Sequence, residues 1–137
     1  MADMSDYMET GNYDFWFRPA ATAPTRPTSH VVSLWSAVTS ADAGTGTELT
    51  GGTAPGYVRT GGSALFGPSV DGVGGNVVQI LFPINSGGSN WPAITHYGIH
   101  DHLGNLLQRL VPLQSPLIVP PGQRAVMEVG DIQLTFL

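Results

Sequence analysis

The chain has 137 residues, enough for one domain with a core, and carries a net charge of −5 with only 11% charged residues and no lysine. The lack of cysteine excludes a disulfide framework, a thiolate zinc site and a cysteine nucleophile, and the lack of lysine excludes a P-loop. No apolar run approaches 18 residues and the N-terminus is acidic where a signal peptide is basic, so no membrane span is expected and the mature protein is expected to start near Met1.

The first 29 residues are expected to form a docking arm and a linker, and residues 30–137 a folded β domain. Asp3, Asp6, Glu9 and Asp14 make the arm acidic, and Met4, Met8 and Phe15 follow a helical spacing. Acids near the start suit the positive end of a helix dipole, so a short helix is expected there. Gly11 and Asn12 weaken it. Order in the arm therefore requires that Tyr7, Tyr13, Phe15, Trp16 and Phe17 pack on something, either the end of their own domain or a partner. Residues 19–29, PAATAPTRPTS, have three prolines and no large apolar side chain, the composition of an extended linker.

Beyond the linker, short apolar runs alternate with Gly, Pro, Asn and Asp clusters, which predicts an all-β, antiparallel, jelly-roll-like sandwich. Strands are predicted over 31–38, 57–60, 63–66, 77–82, 94–101, 106–111, 117–119, 124–129 and 132–136. Residues 40–56 and 68–75 read as long loops. In the last third, Ala125, Met127 and Val129 form one apolar face and Ile132, Leu134 and Phe136 another. Gly130-Asp131 between them suggests a tight hairpin with positive φ at Gly130, making the C-terminus a β-meander.

Little in the sequence suggests chemistry. On a regular strand His96, His100 and His102 share a face with Gly98, and residues two apart are close enough to converge on one zinc ion. No further ligand is evident, so these three are read as oligomer-interface or structural histidines and no metal or cofactor is expected. There is no Gly-x-Ser-x-Gly elbow and no recognisable carboxylate pair, so no catalytic residues are assigned and an enzyme is not expected. Trp35 and Trp91 are read as core or loop anchors. With five scattered arginines the chain lacks the basic footprint of a nucleic-acid binder. So charge-poor a surface suits packing against protein neighbours.

The order of segments DYMETGNYDFWFRPAATAP, HVVSLWSAVTSADAGTGTELTGG, GYVRTG, NVVQILFP, WPAITHYGIHDHLGNLLQRLVPL and IVPPGQRAVMEVGDIQLTF resembles a family of small tailed-phage virion proteins labelled tail fibre or head decoration proteins. The resemblance covers about residues 6–136. It departs at His100 and His102, where the family pattern has an aromatic and a small residue. It implies a β-sandwich built for repeated protein contacts. It further implies a virion location after assembly in host cytoplasm. The first expectation is a capsid decoration (cement) protein on the major capsid protein, forming a homo-oligomer such as a trimer. The alternative is a tail-fibre or baseplate component acting as an adaptor or receptor-binding knob.

Overall fold

The computed structural model describes residues 4–18 and 26–135. The arm contains one helix, α1 (Asp6–Phe17). Ser5 caps it in an extended conformation, its hydroxyl accepting from the Met8 amide, while Asp6 and Glu9 sit in the first turn at the positive end of the dipole. At the far end the Arg18 amide donates to the Asp14 carbonyl, and its guanidinium pairs with the Asp14 carboxylate at 3.1 Å. No residue of α1 is buried.

The main sheet is antiparallel. Its centre is the pair β1 (His30–Ser40) and β6 (Ile94–Asp101), in continuous register from His30↔Asp101 to Trp35↔His96. On the outer side of β1 lie β2 (Thr45–Glu48) and β3 (Thr60–Gly62), and β7 (Leu106–Leu117) pairs with the other side of β6. Pro112 and Pro116 fall on β7, as befits a strand with one unpaired edge. The two segments expected over 106–111 and 117–119 are thus one strand and its exit.

Two ribbons complete the fold. β4 (Val73–Gly75) pairs with β9 (Gln133–Thr135), and β5 (Ile80–Leu81) with β8 (Val126–Met127). Val32 and Leu34 of β1 and Tyr97 and Ile99 of β6 meet Phe82 and Met127 from this second layer in one apolar core. The all-β class with a short N-terminal helix therefore matches the sequence reading.

Several expectations change. β2 and β4 arise in the segments read as loops. Both are short, mostly Gly and Thr or Val, and lack the apolar alternation that marks a half-buried strand. β4 follows a two-residue turn in which Asp71 and Gly72 both have positive φ and Val70 and Val73 exchange hydrogen bonds of 2.8 and 2.9 Å. Conversely, of the strands expected over 57–60 and 63–66 only Thr60 lies in a strand, β3, which continues through Gly61 and Gly62 where a break was expected, and 77–82 shrinks to β5.

The C-terminal meander is not formed, because β8 and β9 pair with different partners. Gly130 does have positive φ, 85°. Its turn, however, wraps around the buried Asn76 side chain. Asn76 Oδ1 accepts from the Gly130 and Ile132 amides, and Nδ2 donates to the Val78 and Glu128 carbonyls. The side-chain amide takes the backbone groups that a hairpin would have paired. Ala125, Met127 and Ile132 are buried and Leu134 is half-buried against the core, whereas Val129 is 60% exposed because the chain is already turning. Phe136 lies outside the described residues.

Phe82 is fully buried and Leu81 is 45% exposed. Phe82→Ala is expected to cost about 3–5 kcal/mol in urea unfolding, and Leu81→Ala about 0.5 kcal/mol. Asn76→Ala, which orphans buried backbone groups without removing apolar area, is expected to cost at least about 2 kcal/mol by the same measurement.

Candidate functional site

The centre of the main sheet is covered on both faces. Val32, Ser33, Leu34 and Trp35 are consecutive and all buried, which a strand allows only if both of its faces are covered. The face opposite the apolar core holds a polar chain of contacts. Trp35 Nε1 donates to Ser33 Oγ at 2.8 Å, and Ser33 Oγ lies 2.7 Å from His100 Nε2. His100 Nδ1 lies 3.2 Å from the Gly104 carbonyl. A carbonyl only accepts, so in the neutral ring Nδ1 carries the proton and Nε2 accepts from the Ser33 hydroxyl. Every member is satisfied. Gly98 makes room for the arrangement, since a Cβ there would meet Leu110 at 2.7 Å and Ser33 Oγ at 2.8 Å. Ser33 is fully buried, and the group behind His100 is a backbone carbonyl rather than a carboxylate. This serine–histidine pair joins β1 to β6, with Ser33 Oγ inside the sheet packing.

Beside it, Arg59 grips Glu48 with two hydrogen bonds of 2.8 Å, and the Tyr57 hydroxyl donates to the same carboxylate at 3.1 Å while accepting from the Leu34 amide at 3.0 Å. Burial opposes the charge on Glu48, yet the hydrogen bonds and charge of Arg59 outweigh it and hold the carboxyl below its usual range. Burial pushes the Tyr57 hydroxyl well up. It pushes His100 down from the ordinary imidazole value, with the Arg59 charge adding to the effect. The Gly104 carbonyl, Glu48 and Asp101 pull His100 the other way without prevailing.

Against this face sits the start of the arm. Ser5 is 1% exposed. Its amide donates to the Leu107 carbonyl and its hydroxyl to the Leu106 carbonyl, both on β7. Met4 forms a bridge with Gln108, and the Asp6 amide donates to the Asp42 carbonyl in the turn between β1 and β2. A cleft of about 410 Å³ remains there, lined among others by Asp6, Tyr7, Asp42, Arg59 and His100. Farther out, α1 presents its rings to solvent: Tyr7 is 43% exposed, Tyr13 61%, Phe15 51%, Trp16 73% and Phe17 71%. They form two ring pairs, Tyr13–Phe17 at 5.3 Å and Phe15–Trp16 at 5.1 Å.

His96 and His100 stay on one face of β6, whose register with β1 is unbroken, but His102 does not join them. His100 is buried within its own chain, His96 is half-buried with Nδ1 on the Thr95 hydroxyl, and exposed His102 accepts from the Thr28 amide through Nδ1. His102 has left β6 for the turn, which Asp101 organises by accepting from the Leu103 and Asn105 amides. Among the described residues no three His, Asp or Glu are grouped to hold a metal ion. Trp35 and Trp91 are both buried, Trp91 anchoring a loop through Nε1 on the Pro55 carbonyl. The sequence reading missed Ser5, Ser33, Glu48 and Arg59, because each is an ordinary polar residue until the fold brings its partner.

The described residues thus form a β module with a buried polar network and an N-terminal helix whose rings face solvent. Among the described residues no helix is long and apolar enough to cross a membrane. The family model for Podophage GP4 fiber I protein gp80 matches residues 3–135, and the chain belongs to that family. It is a bacteriophage virion structural protein, in agreement with the resemblance drawn from its segments. No curated protein matches the chain.

A pH dependence follows from His100. Its folded form disfavours the proton, so below about pH 6.5 the unfolded chain binds more protons and stability falls as pH falls. Denaturant midpoints measured from pH 7.5 to 5.5 are expected to decrease, and to do so less steeply in His100→Gln. A residual slope is expected from His30, which burial also pushes down.

Proposed function

We propose that this protein is a module of a podophage tail fibre, attached to the particle through α1, with tail or baseplate proteins as its partners. The observation that carries the reading is the set of rings on α1. Four of them, Tyr13 and Phe15 to Phe17, are each more than half exposed on a helix with no buried residue. Water contact with that many rings on one turn and a half of helix is a cost that a protein socket removes. The family description, with the word fiber in it, supports a tail location. The body then acts as an adaptor, and no catalytic step is assigned to it.

A second reading, a capsid decoration protein held on the major capsid protein, is favoured by the charged fraction of only 11%, which suits close packing of many copies on a shell. In either location the protein works as a homo-oligomer. The exposed or half-exposed His102 and His96, rather than His100, are the histidines open to a neighbouring copy.

Complementation with the double variant Trp16→Ser, Phe17→Ser tests the anchor. Particles are expected to lose the protein while its unfolding midpoint stays at the wild-type value, since both rings are more than 70% exposed. Full incorporation of the variant would remove α1 as the anchor. Cryo-microscopy of wild-type particles separates tail from head: density at the tail supports the fibre reading and density over the capsid the decoration reading.

A further inference from the structure

The outward face of the β5–β8 ribbon is built like one half of an interface. Ile80, Phe82, Ala125 and Met127 point into the core and are buried, while Leu81, Arg124, Val126 and Glu128, which alternate with them, are exposed. Leu81 and Val126 are direct partners in the ladder, 45% and 37% exposed. Beyond them on one side Gln79 Nε2 donates to Glu128 Oε2 at 2.8 Å, and on the other side stands Arg124. An aliphatic pair flanked by polar groups is the arrangement of an interface centre and its rim.

The charges on this face identify what covers it. Among the described residues Arg18, Arg59 and Arg109 are each paired with a carboxylate of their own chain, respectively Asp14, Glu48 and Asp42. Arg124 has no such partner. The Glu128 carboxylate is met by the neutral amide of Gln79 rather than by a cation. Along β8 and its flanks the outward residues therefore read cation, aliphatic, anion at 124, 126 and 128, evenly spaced about Val126. A series of that kind is its own complement when it is reversed, so the surface that fits it is the same surface on an identical chain.

We infer that a second copy of this chain packs on this face, ribbon against ribbon, about a two-fold axis that crosses the strands at Val126. Two sheets in face-to-face contact are about 10 Å apart, a gap that Leu81 and Val126 fill from both sides. Arg124 of each copy then reaches Glu128 of the other, and both ion pairs form at the rim. The other two-fold arrangement, with its axis along the strands, lays β8 on β5 of the second copy. Residues 79–83 carry no charge, so that arrangement leaves Arg124 and Glu128 without opposites, and the charges select the first. The contact is isologous, and one pairing closes it. The two-fold pair rests on the reading that the protein works as a homo-oligomer, and it holds equally at the tail or on the head.

Four full-length proteins test the face: the wild type, Arg124→Glu, Glu128→Arg, and the double exchange Arg124→Glu, Glu128→Arg. Sedimentation over a range of concentrations follows their association, and denaturant midpoints verify that these exposed substitutions leave the fold intact. In Arg124→Glu the two-fold contact sets acid on acid, and in Glu128→Arg it sets base on base. Each single variant is expected to lose about a hundredfold in affinity or more. The double exchange again places cation opposite anion and is expected to associate as the wild type does. An equimolar mixture of the two single variants is expected to form a one-to-one heterodimer, because an all-acid rim then meets an all-base rim. Single variants that associate as tightly as the wild type overturn this face and leave the homo-oligomer to another surface. A double exchange and a mixture that both stay monomeric overturn it as well. Wild-type protein that is monomeric at every concentration removes the homo-oligomer reading and the two-fold pair together.

Discussion

Covering both faces of the β1–β6 pair is the constraint on which the rest of this molecule depends. One face is apolar and meets the second layer through Phe82 and Met127. The other places a serine, an indole N–H and an imidazole in a dry setting, where each unpaired group would cost about 1–3 kcal/mol. The chain from Trp35 through Ser33 and His100 to the Gly104 carbonyl satisfies all of them in a single direction. It also fixes the imidazole tautomer. The space it needs is the reason for Gly98, and the turn it ends on is the one that Asp101 holds with hydrogen bonds to Leu103 and Asn105.

The second layer is built by a different principle. Its strands are two or three residues long, too short to define themselves by pairing alone. Two buried asparagines do the organising. Asn76 binds four backbone groups around the Gly130 turn, and Asn85 ties the Ser89 and Val119 carbonyls while accepting from the Gly87 amide. A primary amide has both donors and acceptors, so one such side chain can stand in for a missing stretch of ladder. Glycine and proline, about a fifth of the chain, are the counterpart of this design: they shape turns whose backbone groups the asparagines then collect.

For a virion component, these features divide the labour. The body holds its polar groups internally and presents few charges, while the arm carries its exposed rings on a helix whose start is hydrogen-bonded to the body at Ser5 and Asp6. Under the proposed function, attachment and folding are therefore separable. A ring can be optimised for a partner without disturbing the core, and the core can change without moving the rings.

The sequence by itself determined the all-β class, the short arm helix, the span of β6 and the burial of Ala125, Met127 and Ile132, because each is a local matter of period, turn residues or capping. Whether the arm rings pack on their own domain or on a partner was left open by the sequence, and in the structure they face solvent. Only the tertiary structure decided that β8 and β9 part company, that β2 and β4 are strands, and that His100 turns inward while His102 stays at the surface. Short edge strands of Gly and Thr carry no periodic signal, and their pairing comes from the neighbour that reaches them. The Ser33–His100 and Glu48–Arg59 contacts join residues 67 and 11 positions apart, and no local pattern records such a meeting. What a buried polar residue does is set by the partner that the fold supplies, and that partner exists only once the chain has closed on itself.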